Sequence, residues 1–451
     1  MPAETVPGTG LRYHLITFDA RGRERAEGEG PYSQIVLRDA AASQPTDVFL
    51  FSHGWNADVP AARGQYTRWL ATMDSCADDQ ARLEERPGGF RPLLVGLHWP
   101  SKAWSDEQFQ PEAAVGFAAA SSAAAVGEPS NGVESLVDRY AAALADTPAT
   151  REALRIIVEN ALLDAAPVTL PEPVKRAYDV IDVEASTGSE GVGAAPGDDR
   201  DAFDAEATYQ ACLMEELTSY GEVSFGGVLS PLRVLTFWQM KRRARDLGER
   251  GAAALLGDLQ TAAPTARFHL MGHSFGCIAI SAAVSRALGR GVDRHPVDTL
   301  VLVQGAMSLW SFCSHIPPRP ARSGYFHRIL GDGLVQGPVV VTTSVHDRAV
   351  RVFYPLGAGA KRQVDFEAGD LPTYGGIGTF GVRGPGIDIT DEILGPTDTR
   401  YDFRPFTVHN LDADDVINSG GGVSGAHSDI CHAPVAHAVW QAATVAGGCS
   451  D

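Results

Sequence analysis

Four short runs in this chain are apolar at nearly every position: VFLFS from Val48 to Ser52, LLVGL from Leu93 to Leu97, LVLVQ from Leu300 to Gln304 and VVVTT from Val339 to Thr343. Each is bounded by Pro, Gly or charged residues. A strand with one wet face alternates apolar and polar residues, so a strand apolar on both faces must be covered on both. Helical spacing lies between the runs, most clearly over Val234 to Leu259, where Val234, Phe237, Trp238, Met240, Ala244, Leu247, Leu255 and Leu259 recur. Doubly covered strands alternating with helices predict an α/β fold built on a mostly parallel sheet with helices on both faces. Further strands are predicted at Tyr13 to Phe18, Ser33 to Leu37, Phe268 to Met271 and Pro405 to Val408. Helices are predicted at Cys277 to Leu288 and from about Pro434 to Val445.

About 130 residues, Ala103 to Leu232, interrupt this alternation. The predicted organisation is an α/β core from residues 1–102 and 233–451, with 103–232 as a mainly helical insertion or cap. Val133, Leu136, Val137, Tyr140 and Leu144 mark one amphipathic helix, and Thr147-Pro148 is an N-cap and N1 pair for a second. The uncharged stretch Ala113 to Val126 reads either as a buried helix or as a lid hinged at Gly116 and Gly127. Ser186 to Asp201, rich in Gly, Ala, Ser and Asp, reads as a mobile surface loop. The cations Lys241, Arg242, Arg243 and Arg245 read as a solvated helix face.

The charge balance of 37 basic against 56 acidic residues, a net −19, argues against nucleic acid or an anionic membrane as partner. A neutral small-molecule ester or lipid-like substrate is expected. No signal-peptide pattern and no run of 18 apolar residues is present, so stable membrane insertion is not expected. Six cysteines without metal-ligand spacing read as reduced thiols, and the expected location is the cytoplasm. Asp412, Asp414 and Asp415 lack the spacing of a calcium loop.

Chemistry concentrates in four motifs. Gly272-His273-Ser274-Phe275-Gly276 stands directly after the strand RFHLM and directly before a helix, the setting in which a G-x-S-x-G serine is held on a sharp turn as a nucleophile. His53-Gly54-Trp55-Asn56 follows VFLFS, counted as the third strand. Its Trp55 N–H and the Phe275 N–H are the expected oxyanion donors, with His53 as a loop brace. Asp347 follows the strand VVVTT and is the expected acid, ahead of Asp332 and Asp365, with His346 a neighbour or decoy. His427, on a Gly-rich loop before the last helix, is the expected base, ahead of His409, His432 and His437. His53, Gly54, Asn56, His273 and Trp310 are expected to line a substrate pocket.

The GHSFG elbow, the HGWN loop, strand-borne Asp347 and loop-borne His427, in the order Ser, Asp, His, resemble the α/β-hydrolase superfamily in its esterase and lipase branch. The resemblance covers nearly all of the chain outside the insertion. It implies an eight-stranded, mostly parallel sheet, a Ser274-His427-Asp347 triad, a two-donor oxyanion hole, and no metal or organic cofactor. The long insertion before the elbow helix departs from the family pattern, in which caps more often follow the sixth strand. The expected activity is hydrolysis of carboxylic esters through an acyl-enzyme. Acyl transfer and thioester hydrolysis on the same triad are alternatives within enzymes, and a non-catalytic binding module is the alternative outside them.

Overall fold

The computed structural model describes residues 3–27, 30–55, 57–101, 130–185, 188–218, 226–288, 294–357, 371–422 and 424–445. Nine strands form one sheet: β1 (Glu4–Thr5), β2 (Arg12–Thr17), β3 (Asp47–Ser52), β4 (Pro92–His98), β5 (Arg267–His273), β6 (Thr299–Val303), β7 (Val339–Thr343), β8 (Ile389–Ile393) and β9 (Val408–Asp412). Their spatial order is β1-β2-β4-β3-β5-β6-β7-β9-β8. Every pairing is parallel except β1 with β2.

Successive side chains of a strand point to opposite faces, and here both faces are covered. Val48 and Leu50 of β3, with Leu270, Leu300, Leu302, Val339 and Val341, face one apolar cluster. Phe49 and Phe51, with Met271, Val301, Val303 and Val340, face the other. The first cluster is closed by helices α1 (Ser33–Ser43), α8 (Ser230–Leu247), α9 (Ala253–Ala262) and α10 (Gly276–Leu288). The second is closed by α2 (Val59–Asp74), α3 (Ala77–Glu84) and the last helix, α11 (Ala433–Val445). Between β4 and α8 come α4 (Ser130–Ala143), α5 (Pro148–Leu163), α6 (Glu172–Glu184) and α7 (Ala205–Thr218), which pack with Leu232 and Leu235 of α8 into a third cluster. The Thr147 hydroxyl accepts from the Thr150 N–H and caps α5, with Pro148 at the first helical position.

Several expectations are corrected. Ser33–Leu37 is the start of α1, because only Val36 and Ala40, four apart, are buried, whereas Ile35 is exposed. The sheet has nine strands because it loses Ser33–Leu37 and gains β1 and β8. The last strand begins at Val408, three residues later than expected. The long helix is broken by a π-turn at Gly248–Ala252 into α8 and α9. The described part of the 186–201 loop is packed rather than a surface excursion: Val192, Ala194, Asp199 and Arg200 are buried. Nor are all the 241–245 cations solvated, since Lys241 is fully buried and its Nζ lies 2.8 and 2.7 Å from the two Asp199 oxygens, while Arg245 meets Asp198 at 3.1 Å. Ala113–Val126 lies outside the described residues. Among the described residues, no helix is long and apolar enough to cross a membrane, and all five cysteines are free thiols.

Candidate active site

A parallel sheet delivers the loops after β3, β5, β6, β7 and β9 to the same edge, and the site is built from them. Ser274 sits between β5 and α10 with φ of 57°, a left-handed conformation that a non-glycine residue adopts at a cost of about 1–3 kcal/mol. The turn is tight enough to exclude side chains on either side. A Cβ on Gly272 would lie 2.5 Å from the Cys277 nitrogen, and one on Gly276 would lie 2.1 Å from the Ser52 carbonyl oxygen. The Ser274 N–H is held by the Val303 carbonyl and its own carbonyl accepts from Cys277 and Ala306, which pins the strained residue between neighbouring strands.

Ser274 Oγ donates to His427 Nε2 at 2.7 Å, and His427 Nδ1–H donates to Asp347 Oδ2 at 2.7 Å. Asp347 is fully buried, and its second oxygen accepts from the Val350 N–H at 2.9 Å. The loops of β7 and β9 are stitched together where Ala426 N–H donates to the His346 carbonyl, beside Gly425 in the left-handed region at φ of 55°. The structure therefore brings Ser274, His427 and Asp347 into one hydrogen-bonded line.

The other histidines considered are engaged elsewhere. His409 pairs with Glu392 and accepts from the Arg404 N–H; His432 pairs with Asp429; His437 is buried between Asp79 and the Thr399 carbonyl. His346 is exposed, and its backbone carries its contacts to the site. Asp332 pairs with Arg328 on the surface, and Asp365 is outside the described residues. Among the described residues, these three acid–histidine pairs have no hydroxyl partner of the kind His427 has.

Around Ser274, Gly54 touches the elbow turn: a Cβ there would lie 2.5 Å from the Ser274 Cβ. Trp55 follows, its ring 5.9 Å from that of Phe275 and 5.7 Å from that of Phe237 on α8, and Phe237 lies 4.9 Å from Phe275. These three rings make an apolar wall beside the serine. No backbone acceptor among the described residues takes the Phe275 N–H, at the start of α10, where the partial positive charge of a helix N-terminus lies.

His53 is buried and braces the loop. Its Nδ1–H donates to the Gly54 carbonyl at 2.8 Å, so Nε2 accepts from His98 Nδ1–H and the Trp99 N–H, and its ring stacks on Trp99. Its own N–H donates to the Tyr66 hydroxyl at 2.8 Å. His273 is likewise buried: Nε2–H donates to the His427 carbonyl at 2.8 Å while Nδ1 accepts from the Gln65 amide at 3.0 Å. Burial pushes both rings down to about 3, His53 further lowered by His98 and His273 by His427, so both are neutral. His273 lines a small cavity together with Gln65, Tyr66 and Met271. Trp310 is buried with its indole N–H donating to the Thr373 carbonyl, and Asn56 is outside the described residues.

Sequence reasoning missed Gln65, Phe237 and Gln304. Phe237 was legible as a buried helix position but not as a neighbour of Phe275, since the two are brought together only by packing of α8 on the elbow. Among the described residues, no cluster of His, Cys, Asp and Glu is disposed to hold a metal ion. No protein-family model, no curated protein and no solved structure matches this chain.

Proposed function

We propose that the chain is a serine hydrolase of the α/β-hydrolase type that cleaves carboxylic esters. The observation that carries this reading is the Ser274–His427–Asp347 line, with both hydrogen bonds at 2.7 Å, on a serine held in a left-handed turn at a helix N-terminus. In the proposed reaction His427 Nε2 takes the Ser274 proton as Oγ attacks the acyl carbon. The tetrahedral oxyanion is received by the Phe275 and Trp55 N–H groups, each donor being worth roughly 3 kcal/mol. His427 then gives its proton to the departing alkoxide, which leaves as the alcohol, and the acyl group stays on Ser274. Water, deprotonated by His427, attacks the acyl-enzyme and releases the acid, returning the proton to Ser274.

The apolar wall of Trp55, Phe237 and Phe275 favours an uncharged acyl chain, in keeping with the acidic net charge, which disfavours anionic substrates. The experiment is steady-state hydrolysis of p-nitrophenyl esters of increasing acyl length, with a thioester and an amide alongside, for wild type and Ser274→Ala. Ester turnover lost in the variant supports the reading. Equal turnover in both proteins rejects it.

A further inference from the structure

Among the described residues, no cationic side chain is hydrogen-bonded to the Asp347 carboxylate, although it is fully buried. A buried carboxylate must be held by hydrogen bonds, and two donors to it are already known, the Val350 N–H on Oδ1 and His427 Nδ1–H on Oδ2. A third comes from Gln304, the residue directly after β6. Its side chain lies between two acceptors, the Gly378 carbonyl and Asp347 Oδ2, so its NH2 group donates to both, each at 2.9 Å.

Gln304 is itself completely buried and held in place. Its φ is +46°, a left-handed conformation; its N–H donates to the Thr342 hydroxyl at 3.1 Å; and Gly378 packs so closely that a Cβ there would lie 2.8 Å from the Gln304 carbonyl carbon. A strained, buried glutamine whose two amide protons both have acceptors is a fixed dipole rather than packing material. Its partner is the same oxygen that orients His427.

We propose that Gln304 is a positioning residue of this site, stabilising the Asp347 carboxylate in the orientation that receives the His427 Nδ1–H. The role rests on the serine-hydrolase reading only for its consequence in catalysis; the link from Gln304 to Asp347 to His427 stands on geometry. Without the amide donor the carboxylate holds more negative charge against the imidazole, so His427 binds its second proton more readily. Charged or titratable side chains near the pair are His273 on the elbow, His346, Arg348 and Arg351 around Asp347, Glu215 paired with Arg348, and Asp414 and Asp429 beside β9. All are unchanged in the variants compared below.

The test compares wild type, Gln304→Met, which keeps the length and removes the donor, and Gln304→Glu, which keeps the shape and can add a charge. Two readouts are taken on each full-length protein: the ring resonances of His427 against pH in 13C-histidine-labelled samples, assigned with His427→Gln, and kcat and KM for ester hydrolysis against pH. The His427 titration curve and the acid limb of kcat are expected to move to higher pH by about half a unit or more in Gln304→Met and at least as far in Gln304→Glu. KM should change less than about twofold while kcat falls roughly tenfold, because Gln304 touches no substrate. A folded Gln304→Met with an unmoved His427 curve overturns the proposal, and Gln304→Glu carries the same test if the methionine variant does not fold. A moved curve in a protein that hydrolyses no ester supports the positioning role and rejects the hydrolase reading. An unmoved curve in an active enzyme does the reverse.

Discussion

Gly54 and Ser274 meet so closely that a Cβ on Gly54 would stand 2.5 Å from the Ser274 Cβ and 3.1 Å from the His273 carbonyl oxygen. The turn after β3 and the elbow after β5 thus leave no room for a side chain at position 54.

Gly54→Ala is accordingly expected to push the two turns apart. Overpacking at such a point costs typically about 1–3 kcal/mol of stability. The larger effect should be on reactivity, since displacing the Trp55 N–H by a few tenths of an ångström weakens oxyanion binding; kcat should fall by about 10² or more. Ester kinetics together with urea denaturation check this. A variant with full kcat would show that the HGWN turn plays no part in the site.

The neutral histidines of the site make stability fall in acid. Burial holds His53 and His273 at about 3 and His98 at about 4, below the value of 6.5 that an exposed histidine has when the chain unfolds. The unfolded chain therefore binds more protons than the folded one as pH drops, and stability that is complete above pH 6.5 is lost progressively from there towards pH 3 to 4. Each such histidine contributes a slope of roughly 1.4 kcal/mol per pH unit within that window. Urea unfolding at pH 7, 6 and 5 should show the decline, and His98→Gln should flatten it. A free energy independent of pH between 7 and 5 would mean that these rings are solvated.

The buried cation of α8 supports a third expectation. Lys241 Nζ is clamped by both Asp199 oxygens, donates to the Tyr354 hydroxyl at 3.1 Å, and lies 4.2 Å from the Trp238 ring centroid. Burial lowers it to about 8 against the pull of Asp199. Lys241→Met leaves a buried carboxylate without its cation and is expected to cost about 3–5 kcal/mol. Lys241→Met combined with Asp199→Asn should recover most of that loss. Urea midpoints of the two variants measure the difference; equal losses would show that Asp199 is satisfied without Lys241.

That pair also shows where sequence reasoning stops. The strands were legible because doubly covered strands are apolar at nearly every position, as VVVTT is, and Ser274, Asp347 and His427 were legible because each sits at a predicted strand end or loop. Two misreadings turn out to be halves of one structure. The cations at 241 and 245 look like a wet helix face and the Gly-Ala-Asp loop around 198 and 199 looks like a mobile excursion, but each is the other's partner across some 40 residues of chain. Local composition carries no record of a partner that distant. Strand β8, ITDEI, escaped because an edge strand with one neighbour keeps acidic residues, and Asp391 meets Arg383 on the exposed side. Gln304 has no local signature at all. It is a lone glutamine after an apolar strand, and only the meeting of β6 and β7 gives it Asp347.

The central claim is that Ser274 is a nucleophile activated through His427 and Asp347, and active-site labelling tests it most directly. Wild type, Ser274→Ala, His427→Ala, Asp347→Asn and the His427→Ala/Asp347→Asn double variant would be treated with a fluorophosphonate, and the modified residue mapped by mass spectrometry. Wild type should be labelled at Ser274 alone and Ser274→Ala not at all. The His427 and Asp347 variants should each react roughly 10³-fold more slowly or worse, and the double variant little more slowly than the slower single one, as members of a unit do. Labelling at another residue, or full-rate labelling at Ser274 without His427, would contradict the claim.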